Sequence, residues 1–289
     1  MILLTAANGR TGRAVLSALV GQGAEVRAMV RNPDHVAPLR ELGAAEVVVA
    51  DLGDDASVRS AAVGCASVVH IGPPMHPDEV TITDRVLSAA RDGGAQHFIY
   101  YSVMHPFRRD VRHHALKLDA TEHVVESGLA YTILEPSRYM QHLEVIWPTV
   151  TGSGVHAMPF DVRARFNVVD LADLADATAL VVTQPGHEFA TYELAGPQSL
   201  SQEDMAAVLT SALGREVVAR AVPLDEMAEA ARARGISEDR ITQMRVMNAH
   251  YDEFGFLGNP NVLQWLLGRP AATYAEYVQR LVARSTVEA

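Results

Sequence analysis

The chain opens Ile2-Leu3-Leu4-Thr5-Ala6-Ala7-Asn8-Gly9-Arg10-Thr11-Gly12 and runs through Ala14-Val15-Leu16 to Val26-Arg27-Ala28-Met29-Val30-Arg31-Asn32-Pro33. Ile2 to Leu4 are apolar without alternation, as in a strand buried on both faces of a parallel sheet. Small residues then fill a turn, and Ala14, Val15, Ala18 and Leu19 recur at helical spacing behind it. Val26 to Val30 complete a strand, turn, helix, strand unit. The start of such a helix presents unpaired backbone N–H groups and a partial positive charge, so a pyrophosphate fits there without a cationic side chain.

Ala6, Gly9 and Gly12 keep the three-residue spacing of a Gly-x-x-Gly-x-x-Gly fingerprint, with alanine in the first place. The tightest part of the turn must therefore accommodate a methyl group. Taken alone, the glycine pair would serve equally to close a plain strand-to-helix turn. Arg31 decides between these readings. It ends the second strand, where an acidic residue would accept bonds from a free ribose 2′-hydroxyl and an arginine instead suits a 2′-phosphate. The cofactor expected is NADP(H).

Further short apolar runs at 46–50, 67–71, 97–102 and 130–134 are each followed by an amphipathic, helix-length segment. Strands alternating with helices predict an α/β fold of Rossmann type, a doubly wound parallel sheet. Ligands lie beyond the carboxyl ends of such strands, so Asp51-Leu52 and Ile71-Gly72-Pro73-Pro74 join Ala6 to Gly12 and Arg31 along one rim. From about Thr151 the alternation loosens, and helical patterns at 201–213, 223–234, 237–250 and 273–284 dominate. We therefore expect a cofactor-binding domain over 1–150 and a smaller, helix-rich substrate region over 151–289, with about 164–185 packing back on the sheet.

With 24 Lys and Arg against 35 Asp and Glu the formal net charge is −11. That balance opposes binding to nucleic acid or an anionic membrane. The single cysteine, Cys65, excludes an intrachain disulfide, and no apolar run approaches the roughly twenty residues of a membrane span. A soluble, cytoplasmic protein is expected. There are 12 histidines, yet no His-Glu-x-x-His or cysteine-rich spacing, so no metal site is expected.

Phe98-Ile99-Tyr100-Tyr101-Ser102 reads as a strand whose terminal hydroxyl faces the rim, and His113, His114 and Lys117 lie on the helix that follows. His113 and Lys117 are four apart and share a helical face. A lysine there would hold the nicotinamide ribose and lower the pKa of a neighbouring acid, while His113, or a water on Ser102, exchanges a proton with substrate. On the substrate side, His76, Met104, His105, Phe107, His113, Tyr139, Met158 and Phe160 follow the rim and suit an apolar or aromatic small molecule.

The order of these pieces resembles the NmrA-like group of atypical short-chain dehydrogenases/reductases. The resemblance runs through Ala6 to Gly12, Val30 to Pro33, Ala50-Asp51-Leu52, Tyr101-Ser102-Val103, Lys117, Ser127 to Leu134 and Tyr139-Met140-Gln141. It continues through Tyr192 to Pro197 and Leu213-Gly214-Arg215 to Leu267-Gly268-Arg269-Pro270. It implies NADP(H) at the fingerprint turn and Arg31, and adds Asn8, Arg10, Thr11, Pro136 and Tyr139 to the cofactor-binding set. Two departures stand out: His113 replaces the usual tyrosine four before the lysine, and Leu134-Glu135-Pro136 carries Glu135 where arginine is usual. Glu135 reverses a charge beside the rim, where it either orients a substrate or pairs locally.

Members of the group reduce quinones, dyes and phenylpropanoid compounds, and some bind the cofactor without turnover. The leading expectation is NADPH-dependent hydride transfer to a small conjugated or aromatic carbonyl or quinone-like compound. A redox sensor acting through a protein partner, and a redox-neutral isomerase or dehydratase, remain alternatives. A homodimer is likewise left open.

Overall fold

The computed structural model describes residues 1–287. Its chain divides into two compact units, the first made of Met1–Arg109, His113–Pro136 and Leu171–Glu193. In chain order the first unit carries β1 (Ile2–Leu4), α1 (Arg10–Gly21), β2 (Val26–Val30), α2 (Val36–Glu41), β3 (Glu46–Val49), α3 (Asp55–Ala62) and β4 (Ser67–His70). It continues with α4 (Glu79–Gly93), β5 (His97–Tyr101), α5 (Arg112–Glu126) and β6 (Ala130–Pro136). After the second unit's first stretch, α7 (Leu171–Thr183) and β9 (Ala190–Leu194) return to it.

The seven strands lie in the order β3-β2-β1-β4-β5-β6-β9. Ile2 pairs with Val26 on one side and Ser67 on the other, both parallel, so the first strand of the chain is central. The winding runs outward to β3 and then restarts at β4, which opens a crevice at the carboxyl ends of β1 and β4. Leu3, Val68, Phe98 and Tyr100 from the strands and Val58, Val86, Ala90 and Val124 from the helices bury one face of the sheet. Asp54 starts α3 by accepting from the N–H groups of Ala56 and Ser57. This is the Rossmann-type α/β fold expected.

The second unit comprises Asp110–Arg112, Ser137–Asp170 and the chain from Leu194 onward. It holds α6 (His142–Ser153), β7 (Val155–Met158), β8 (Phe166–Asn167), β10 (Ser199–Leu200), α8 (Gln202–Leu213), β11 (Val218–Ala221), α9 (Leu224–Ala233), α10 (Glu238–Phe254), α11 (Asn261–Leu267) and α12 (Tyr274–Val287). β7 pairs with β11 in parallel and β8 with β10 antiparallel. A reciprocal Ser201/Asp204 capping box starts α8.

The division differs in detail from a split near residue 150. The first unit leaves off at Pro136, and the returning segment is 171–193 rather than about 164–185. The cause is that α6 and β7 belong to the second unit's own core. Among the described residues no helix is long and apolar enough to cross a membrane.

Candidate active site

The fingerprint turn is held in a glycine-like shape by an alanine. Ala6 adopts φ +48°, in the left-handed region, and its carbonyl accepts the N–H of Gly9 at 2.9 Å. A Cβ on Gly12 would press into Ala6 O and come within 2.7 Å of Ala7 Cα, so the helix start can approach β1 only with glycine there. Gly9 is the extended N-cap of α1 and supplies no side-chain cap, and the first turn has no acidic residue. The turn therefore leaves the helix N–H groups to be satisfied from outside. Arg13 donates to Asn8 Oδ1 from Nε at 3.1 Å and Nη2 at 2.7 Å, fixing the turn from the helix side.

A groove of about 560 Å³ opens beside this turn, lined by Ala6, Asn8, Gly9, Arg31, Asp51, Leu52 and Pro73 among others. Arg31 is exposed and pairs with no carboxylate among the described residues. Asp51 shapes the next loop, since its Oδ1 accepts from Gly53 N at 2.8 Å and its own N–H bonds Ser57 Oγ at 3.1 Å. His76, placed on the substrate side from sequence, lines this groove instead. Arg10 and Thr11 lie in the first turn of α1, with Arg10 exposed and Thr11 half-buried. Ile71 N donates to Thr5 Oγ1 at 2.9 Å, and Pro74 is exposed.

Lys117 projects from α5 into a buried polar cluster. Its Nζ donates to Glu79 Oε1 and to the Tyr101 carbonyl, both at 2.7 Å, and Tyr100 Oη donates to the same Glu79 oxygen at 2.8 Å. Burial pushes the Glu79 carboxyl up, but the Lys117 charge and the bonds from Lys117 and Tyr100 outweigh it and hold it below the usual range. Gly72 runs so close that a Cβ on it would lie 2.9 Å from the Glu79 oxygens. An ammonium has three N–H bonds. Two are engaged by these oxygens, and the ammonium also lies 4.9 Å from the centroid of the Tyr100 ring.

Ser102 is buried, with Oγ 3.3 Å from Thr121 Oγ1. Thr121 gives its own proton to the Lys117 carbonyl at 2.8 Å, so Ser102 is the donor in that pair and keeps only lone pairs to offer. His113 is half-buried and lies edge-on to His114, ring centroids 5.8 Å apart. His114 is fully buried, its Nδ1 2.9 Å from the His105 carbonyl. That contact braces His105, which adopts φ +58° and sets its Nε2 3.6 Å from Glu193 Oε2.

Among the described residues Glu135 is in no ion pair. Burial first and the neighbouring Glu193 second push its carboxyl up to about 7. In place of a local ion pair, Glu135 has a like-charge neighbour across β6 and β9.

The family model described as the NmrA-like family matches residues 1–277. The chain belongs to that family. Among curated relatives, the NAD(P)H azoreductase of Xenophilus azovorans is 29% identical over 282 residues, covering 96% of this chain and 97% of its own. Quinone oxidoreductase 2 of Escherichia coli (strain K12) is 26% identical over 283 residues, covering 97% and 98%. The crystal structure of that Escherichia coli enzyme complexed with NADPH superposes with a TM-score of 0.86 at 26% identity, over 98% of this chain and all of the other.

Within this NmrA-like chain the remaining sequence-derived candidates fall in both units. Met104 is fully buried, its N–H on the Pro136 carbonyl at 3.0 Å, whereas Phe107 is 64% exposed with its ring 5.5 Å from that of His105. Tyr139, Met158 and Phe160 lie in the second unit around Arg138, with the Tyr139 ring stacked on His142. Sequence reasoning missed Glu79, Tyr100, Arg13, Glu193 and Arg138. An acidic residue in the first turn of a helix reads as a surface charge favourable to the dipole, and nothing local marks Glu79 as buried.

Proposed function

We propose that this NmrA-like protein is an NADPH-dependent reductase of small conjugated carbonyl or quinone-like compounds. The observation that carries the reading is the groove beside the Ala6–Gly12 turn, with exposed Arg31 at its wall and in no ion pair among the described residues. The turn offers backbone N–H groups to a pyrophosphate, and Arg31 suits a ribose 2′-phosphate. The names of the azoreductase and quinone oxidoreductase relatives support the same reaction class.

When bound, the reduced nicotinamide supplies a hydride. Lys117, oriented by Glu79 and Tyr101 O, directs its remaining N–H to a ribose hydroxyl. His113, one turn from Lys117, holds the proton that the reduced product takes up. Ser102 accepts a hydrogen bond from water at the rim, because its own proton is engaged with Thr121. Pro136, the last residue of β6, belongs to the proposed cofactor set.

Stopped-flow loss of NADPH absorbance against a panel of benzoquinones and naphthoquinones tests the reading. Consumption of one NADPH per two-electron reduction is expected, with NADH less effective by about tenfold or more. Tight NADPH binding with no consumption across the panel would instead favour a cofactor-reporting role.

A further inference from the structure

Arg138 follows the end of β6 by two residues and carries its guanidinium over the rings of Phe160 at 5.3 Å and Phe166 at 5.9 Å. Its Nη2 approaches Met158 Sδ at 3.8 Å, and sulfur is a weak acceptor. Stacking on ring faces satisfies the charge in part and leaves the in-plane N–H edge unengaged. The chain has 35 Asp and Glu residues, yet among the described residues none pairs with Arg138. Burial pulls the guanidinium pKa down to about 10, against a small opposing effect of Tyr251 and Tyr274.

The surroundings point the same way. Tyr274 lines the same pocket, is 2% exposed, and its hydroxyl has no hydrogen-bond partner. His156, also in the wall, is pushed to about 4 by burial first and by the Arg138 charge second, with Gln202 pulling weakly back. It is neutral at pH 7 and brings no counter-charge. Met140, Leu143 and Val168 make much of the remainder apolar. Arg138 is half-buried and has no carboxylate partner, and beside it the buried Tyr274 phenol is a donor with nothing to donate to, which is unfavourable away from water.

We propose that Arg138 and the Tyr274 hydroxyl bind a carboxylate carried by an aromatic small molecule. The guanidinium fork matches the two oxygens of a carboxylate, and the phenol adds a third donor. The inner space is small, with about 20 Å³ open to the centre of a water-sized sphere, within a pocket whose empty space of about 350 Å³ includes open solvent. A planar carboxylate suits the inner space, with the aromatic body in the part open to solvent; a phosphate or sulfonate is bulkier. Calling the ligand a substrate rests on the reductase reading, whereas the anion site does not.

Isothermal titration of 2-naphthoate, and of neutral 2-naphthamide as its close analogue, into the full-length protein saturated with NADP⁺ tests the proposal. The acid should bind at least about tenfold more tightly than the amide, and Arg138→Met should erase that preference. Tyr274→Phe should weaken 2-naphthoate by about two- to fivefold and leave 2-naphthamide unchanged. Its hydroxyl makes no internal bond, so this variant carries the test if Arg138→Met does not fold. Equal binding of acid and amide to the wild type, or 2-naphthoate affinity untouched by either substitution, would overturn the proposal. Turnover of the uncharged quinone menadione by the wild type is measured alongside. Acid-selective binding without any quinone turnover would reject the reductase and keep the anion site.

Discussion

Lys117 and Glu79 form an ion pair at 2.7 Å with side chains only 7% and 3% exposed, joining α5 to α4 beneath the carboxyl ends of the central strands. Removing one partner strands the other charge away from water. Lys117→Met should therefore lower stability by about 3–5 kcal/mol in urea unfolding. The double variant Lys117→Met/Glu79→Gln should recover part of that loss. Equal losses in single and double variants would show that the two residues are not coupled.

The exposed guanidinium of Arg31 at the groove wall sets a second expectation. Arg31→Ala should weaken NADPH binding by about tenfold or more, as befits a charge-assisted bond, and leave NADH binding nearly unchanged. Fluorescence titration with both nucleotides reads this directly; parallel losses for the two would place the 2′-phosphate elsewhere.

Gly12 has no room for a methyl group against Ala6 O and Ala7 Cα. Gly12→Ala should push α1 away from β1, lower the melting temperature by several degrees and weaken NADPH by at least about tenfold. A variant with wild-type affinity would mean that the turn is not where the pyrophosphate sits.

Glu135 makes stability depend on pH. Its carboxyl titrates at about 7 in the folded protein against an ordinary 4.5, so the native state holds a proton that the unfolded chain has released. Stability should therefore fall as pH rises from about 4.5 to 7 and level off above that. Thermal melts should show the wild type losing a few degrees more than Glu135→Gln between pH 5 and pH 8. Superimposable profiles for the two would remove Glu135 as the source.

Features set by neighbouring residues were legible in the sequence. Ala6, Gly9 and Gly12 declare their turn because backbone crowding acts over a few residues, and Arg31 declares its place by directly following β2. The helices near 201–213 and 223–234 appear as α8 and α9 within a residue or so, helped at α8 by its capping box. α6 escaped notice because Pro148 lies inside it, and proline ordinarily argues against a helix interior. Lys117 was singled out, but its partner lies 38 residues away and only the packing of α4 on the sheet brings them together. Likewise Glu193 reaches Glu135 only because β9 lies beside β6, a pairing that no local pattern announces.

The return of 171–193 to the first unit bears on how this protein is made. β6 is not the sheet's last strand, and α1 buries Val15, Leu16 and Leu19 on a helical layer that includes α7. A ribosome that has released everything through Pro136 has delivered six of seven strands, with one side of α1 uncovered and the edge of β6 unpaired. The nascent sheet must wait for more than thirty further residues, 137–170, before its closing pieces emerge. A gene fragment ending at Pro136 is thus an unfinished molecule rather than a portable nucleotide-binding module, with a bare strand edge inviting aggregation.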